Sequence, residues 1–451
     1  MINTVLPSQN AAAVDERQSA AESGQRIASL DFIRGLAVMG ILAANITVFG
    51  QPFVAYTWPR GFLVSSGDPY GWLWALQFVL IDGKMRGLFT LLFGAGIYLF
   101  LEKAWERGGG RRLQARRLVF LLLFGLIHFF LIWKGDILTG YALCGFAALL
   151  FVRMKPRSQL VFGLVGYFLG AIAFTTLLFG IYAADRLERA GAQTDASHLE
   201  IRSIKTDDIG DGRVETALVS SGDYLGLVTH NFVEHWTDLL AFLLQIIFET
   251  LPLILIGIAL YRLGLFEGRM ADHKVRRWGW IGLLAGGMLS MLIAWWAVSE
   301  GLTYFGTLLA FSGLAAFANL PMVLGLAALL SLAGARASGG LAQRVSAAGR
   351  AAFTNYIGTS VVMLFVFHGW AGGLYGELNR PQLYLVVIST WVLMLAWSKP
   401  WLDRFRYGPL EWLWRSLTYG RMFPADDKNE QSHSRDAPRG WNERSSKNQD
   451  T

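Results

Sequence analysis

The chain has 451 residues, of which 53% are hydrophobic and only 16% charged, with a net charge of +7 and a positive mean hydropathy of +0.39. Soluble domains run near a quarter charged, so this composition excludes an ordinary soluble protein and predicts an all-α polytopic membrane protein with the lipid bilayer as its partner. The basic residues form no stripe that would follow a nucleic-acid backbone, and no nucleic-acid partner is expected.

Residues 1–28 are polar and mixed in charge. They lack the basic start and early apolar stretch of a secretory signal peptide, which predicts a polar cytoplasmic segment before an uncleaved first helix. The membrane domain is expected over 29–420. Its ten apolar stretches are 30–49, 72–101, 117–133, 137–152, 159–183, 238–262, 278–298, 304–333, 352–370 and 382–398. The second is long enough to tilt or break near Asp82–Arg86, and the eighth to tilt or break at Pro321. The third and fourth, separated by "KGD", read as a tight helical hairpin. Lys and Arg alternate between connections: "EKAWERGGGRRLQARR" holds six, "RMKPR" three and "RLGLFEGRMADHKVRR" five, whereas "WKGDIL" holds one and "SEGL" none. Positive residues stay in the cytoplasm, so about ten transmembrane helices with both termini cytoplasmic are expected, in a bacterial inner membrane.

The segment 184–237 has ten acids against five bases and is placed on the non-cytoplasmic side. It is mostly polar to about Thr216. Its later part, "DYLGLVTHNFVEHW", has the apolar spacing of an amphipathic helix lying on the outer surface. His230 and His235 within it are five apart, whereas metal pairs on one helix face are three or four apart. Cys144 is the one cysteine and reads as a small core residue. No metal is expected. Residues 421–451 have the composition of a disordered tail.

Ionisable groups inside a bilayer are costly and tend to mark function. Asp31 and Arg34, at i and i+3 on the first helix, share a face. They read either as a cap and interfacial anchor or as a positioned guanidinium for a phosphate or carboxylate. Asn45 lies eleven residues on, nearly the same face after three turns. Asp82, Lys84 and Arg86 sit inside the second stretch. His128, close to mid-membrane, suits a general base. Asp136 would orient it, but eight positions on an ideal helix set them about 12 Å and 80° apart, so a contact needs "WKGD" to fold the chain back. Glu249 stands three before Pro252, where a protonated carboxyl would meet a freed carbonyl. His368 lies near the outer end of the ninth stretch.

The stretches "RIASLDFIRGLAVMGILAANI", "GLIHFFLIWKGDIL", "AAGRAAFTNYIGTS" and "YGPLEWLWRSLTYG" resemble the YeiB-type family of bacterial inner-membrane proteins, over about residues 26 to 420. The start of the chain is also remotely similar to membrane acyltransferases of the heparan glucosaminide acetyltransferase and sugar O-acyltransferase types. In those, Asp-x-x-Arg-Gly opens the first helix, matched here by Asp31, Arg34 and Gly35. The O-acyltransferase type has a histidine where this chain has Asn45, which leaves His128 as the candidate base. The resemblance implies transfer of an acyl group from cytoplasmic acyl-CoA to a hydroxyl of an envelope sugar, lipid or glycan. Arg34 and Arg86 would meet the phosphates with Asp31 and Glu249 in support, and Asn45 would polarise the carbonyl. A transporter or flippase, and a structural or regulatory membrane protein, are the alternatives; no internal repeat of the transporter kind is visible.

Overall fold

A computed structural model describes residues 9–63, 71–191 and 196–423. The tail from Pro424 and the first eight residues lie outside the described residues. The helices are α1 Gln9–Gly50, α2 Gly71–Leu80, α3 Lys84–Glu106, α4 Arg111–Ile127, α5 Leu138–Phe151, α6 Pro156–Arg189, α7 Ala196–Ser221 and α8 Tyr224–Glu234. They continue as α9 Trp236–Arg262, α10 Asp272–Ser299, α11 Tyr304–Leu308, α12 Ala315–Arg336, α13 Gly340–Arg350, α14 Ala352–Phe367, α15 Arg380–Arg404 and α16 Pro409–Tyr419. No strand occurs among the described residues. The chain is an all-α multi-pass membrane protein. Among the described residues, seven helical spans are long and apolar enough to cross a bilayer, or eight where the bent pair α13 and α14 is taken as one span. The ten apolar stretches expected from the sequence coincide largely with helix, although 72–101 is interrupted at Ile81–Gly83 and 352–370 leaves the helix after Phe367.

Helix α1 packs on α3, α12, α13, α14 and α15. Two glycines set its contact with α13: a methyl at Gly35 would stand 2.0 Å from the Val345 carbonyl oxygen, and one at Gly349 would stand 1.8 Å from that of Asp31. Helices approach this closely in membranes because van der Waals packing replaces the missing hydrophobic drive between them. α3 and α9 cross the same way, at Gly94 against the Ile254 carbonyl and Gly257 against that of Leu91.

The second span breaks at Ile81–Gly83, and Gly83 takes φ +72°. Inside a bilayer the freed backbone groups need partners from the protein. Lys84 Nζ donates to the Phe78 carbonyl at 2.5 Å, and Gln77 donates to Asp82 at 3.0 Å. The eighth stretch is irregular upstream of Pro321, not at it. A π-helical turn over Leu309–Leu314 joins α11 to α12, and Pro321 sits inside α12.

α13 and α14 meet at 86°. The N-terminus of α14 is capped from a distance: Glu411 on α16 accepts from the backbone N–H of Phe353 at 2.7 Å and of Thr354 at 3.1 Å. A carboxylate suits the positive end of a helix. Burial pushes the Glu411 carboxyl up, partly offset by the hydrogen bonds from Thr354 and Phe353. α8 matches the expected amphipathic segment, while α7 is a long helix where the sequence shows no apolar periodicity. The five-residue spacing of His230 and His235 supposed one continuous helix. The helix instead breaks at His235, between α8 and α9, and both imidazoles reach Asp211.

Gly349→Ala is expected to cost about 1–3 kcal/mol, the usual range for overpacking, seen as a lower thermal midpoint of the detergent-solubilised protein. Gly358 has open space around its Cβ direction, so Gly358→Ala serves as the control. Equal midpoints for the two variants would show that the α1–α13 contact is not tight.

Candidate functional site

Three cavities line up along α1. The first, about 180 Å³, opens at the arginine-rich end, where Arg34, Arg117 and Arg350 converge, and its deep wall includes Leu138, Tyr141 and Tyr356. The second, about 80 Å³, is polar and holds Asn45, Asp82, Arg86, Glu249 and Asn319. The third, about 40 Å³, lies towards the opposite end and is lined by Ser360, His368, Lys134, Glu215 and Tyr375.

Each arginine of the first cavity comes from a different element. Arg34 on α1 pairs with Asp31 at 3.0 Å. Arg117 on α4 lies over the rings of Trp414 at 4.2 Å and Phe100 at 4.8 Å. Arg350 ends α13, and the sharp bend beyond it brings it beside Arg34. Three guanidiniums against two carboxylates, Asp31 paired with Arg34 and Glu411 engaged at the start of α14, leave a net positive mouth suited to phosphate or carboxylate.

His128 and Asp136 are brought together. After α4 the chain makes a π-helical turn over His128–Ile132, and Trp133 is extended. This reversal carries Asp136 back to His128, whose Nδ1 lies 2.9 Å from Asp136 Oδ1. The other carboxylate oxygen accepts the Thr139 backbone N–H at 2.7 Å, which holds it at the start of α5. His128 Nε2 lies 2.9 Å from Ser360 Oγ on α14. The His128 and Asp136 side chains are both 0% exposed. The arrangement Asp136–His128–Ser360 therefore has the order of contacts of an acid, an oriented imidazole and a hydroxyl. The His128 ring packs against Tyr356 with centroids 5.2 Å apart, and the Ile137 N–H donates to the Tyr356 hydroxyl at 3.2 Å. Tyr356 thus stands between the first cavity and His128, while Ser360 faces the third.

Other expectations change. Asn45 lines the second cavity, and His128 lines none of the three, so Asn45 is not placed to polarise a carbonyl at His128. Arg86 does not join Arg34. Its Nη2 is bound by both oxygens of Glu249, at 2.9 and 2.8 Å. Glu249 is thereby a partner for a charge on α3 rather than for the carbonyl near Pro252. Desolvation explains the pairing, because an isolated charge at this depth is costly and a neutralised pair is much less so.

The family model for a protein of unknown function, DUF418, matches residues 260–421. YxaH of Bacillus subtilis (strain 168), described as uncharacterized, is 31% identical over 88% of this chain and 95% of its own length. YeiB of Escherichia coli (strain K12), also described as uncharacterized, is 31% identical over 90% of this chain and 99% of its own. This chain is a member of the YeiB-like family. A third relative, from Bacillus acidopullulyticus, is 27% identical over 89% of this chain. No solved structure matches.

In this YeiB-like chain, sequence reasoning missed Ser360, Tyr356, Arg117 and Arg350. A serine in an apolar helix and arginines in basic loops are ordinary there, and only the bend after α13 and the α4 reversal give them a common address. Arg86→Gln alone is expected to cost about 1–3 kcal/mol, because it leaves the partly buried Glu249 without its partner. Arg86→Met with Glu249→Leu should recover most of that loss in chemical unfolding. If the single and double variants unfold alike, the two groups are not coupled.

Proposed function

We propose that the protein is a membrane acyltransferase that moves an acyl group from cytoplasmic acyl-CoA to a hydroxyl of an envelope sugar, lipid or glycan, in the inner membrane with the arginine-rich end cytoplasmic. The observation that carries this reading is the fully buried Asp136–His128–Ser360 chain set between a cationic cavity at one end and a separate cavity at the other. Arg34, Arg117 and Arg350 receive the phosphates of the donor, and the apolar walls of the first cavity accept its arm and acyl chain. Tyr356 swings aside to admit the thioester. Ser360 Oγ attacks the thioester carbonyl as His128 Nε2 takes the hydroxyl proton, and the C–S bond breaks with the proton passing to the departing thiolate. The acyl-serine ester then meets an acceptor hydroxyl from the third cavity. His128 takes the acceptor proton and returns it to Ser360 as the ester transfers. Asp136 holds the imidazole tautomer and stabilises its protonated form.

The second cavity favours a transport reading, since a broken span and an Arg–Glu pair deep in the bundle are features of substrate paths. Acetyl-CoA calorimetry on detergent-solubilised protein separates the two. Micromolar binding that is lost in Arg34→Ala is expected, along with a covalent acyl-protein that is absent in Ser360→Ala. His128→Ala should lower transfer by about 10²–10⁴-fold, the span of general-base contributions. Well-folded protein that binds no acyl-CoA of any chain length, yet drives ion-coupled uptake in vesicles, would overturn the enzyme reading.

A further inference from the structure

At the acidic end of the bundle, three side chains from three elements point at one place. Asp211 comes from α7, His230 from α8 and His235 from the break between α8 and α9. His230 Nε2 is 2.9 Å and His235 Nε2 is 3.2 Å from the same oxygen, Asp211 Oδ1. The two imidazole rings are 5.0 Å apart and nearly perpendicular, at 89°. All three ligand atoms lie within 4.8 Å of one another. We propose that Asp211, His230 and His235 form a binding site for a divalent transition-metal ion of the zinc class.

The spacing fits such an ion. With metal–ligand bonds of about 2.0–2.1 Å, neighbouring donors of a tetrahedral zinc stand about 3.3 Å apart. The two nitrogen–oxygen separations already match, and the two imidazole nitrogens lie within 4.8 Å of each other. Imidazole with carboxylate suits Zn²⁺ over the hard cations. Three protein ligands leave a fourth position for water or an outside group.

The surroundings divide the carboxylate between two tasks. Oδ1 faces the histidines, while Oδ2 takes Lys134 Nζ at 3.3 Å. Lys134 in turn sits 3.1 Å from Glu215. This is the second-sphere pattern that orients a metal ligand. The Asp211 carboxylate is thus approached by Lys134 on one oxygen and by both imidazoles on the other. With neutral histidines, Asp211, Glu215 and Lys134 sum to one negative charge, which a divalent ion turns to one positive. His230 and Asp211 are partly exposed, at 15% and 29%, so an ion has a way in. Bound there, it would fasten α7 and α8 to the start of α9, beside the hairpin that carries Lys134 and Asp136.

The test uses tag-free, full-length protein in detergent, stripped with a chelator and dialysed against Zn²⁺. About one Zn²⁺ per chain is expected by mass spectrometry, with a raised thermal midpoint. Co²⁺ in its place should give the strong visible absorption of a four-coordinate site. His230→Gln and His235→Gln keep a donor to Asp211, so they preserve the metal-free fold while losing affinity by about tenfold or more. His273→Gln, on α10, should bind as wild type does. Wild-type protein that holds no more Zn²⁺ than the doubly substituted His230→Gln, His235→Gln protein would leave the cluster as a hydrogen-bonded anchor for Asp211 and overturn the site.

Discussion

A polar group buried in hydrocarbon has no water to turn to, and leaving it unpaired costs several kilocalories per mole. That constraint organises the interior of this bundle. Arg86 and Glu249, on α3 and α9, neutralise each other. Lys84 spends its charge on the carbonyl exposed by the break in the second span. His128 uses both ring nitrogens, one on Asp136 and one on Ser360. In each case the partner comes from a different helix or from the far side of a reversal, so the polar residues also fix which helices meet and in what register.

The ion pair at the entrance of α1 follows the same pairing rule: Asp31 holds Arg34, and Arg34 opens onto a cavity shared with Arg117 and Arg350. The glycine that follows in the Asp-x-x-Arg-Gly pattern has a packing reason: Gly35 lets the α13 backbone touch α1. The motif therefore does two jobs. Its charges shape the cationic mouth, and its glycine brings Arg350 to that mouth by seating α13.

The two ends of the molecule are unlike. At one end arginines from α1, α4 and α13 crowd a cavity with apolar walls. At the other, α7 and α8 lie by the hairpin, and Asp211, Glu215, His230 and His235 gather round Lys134. His128 lies between, screened from the first cavity by Tyr356. An imidazole placed there acts only on what the surrounding helices admit. For that reason the proposed chemistry depends on the cavities on either side as much as on the imidazole.

Much was legible from the amino-acid sequence. Composition and apolar run length are one-dimensional properties, and they determine an all-helical multi-pass membrane protein and the break in its second apolar stretch, near Asp82. The deep charges stood out by themselves because hydrocarbon makes them rare. Their partners did not. The union of His128 with Asp136 turns on a π-helical turn that no periodicity announces. The capture of Arg86 by Glu249, the arrival of Ser360 at His128, and the meeting of His230 and His235 on Asp211 all join residues by way of helix crossings and breaks. Which helices cross is decided by glycine contacts and charge neutralisation acting through space, so the list of unusual residues belongs to the sequence and their grouping into sites belongs to the tertiary structure.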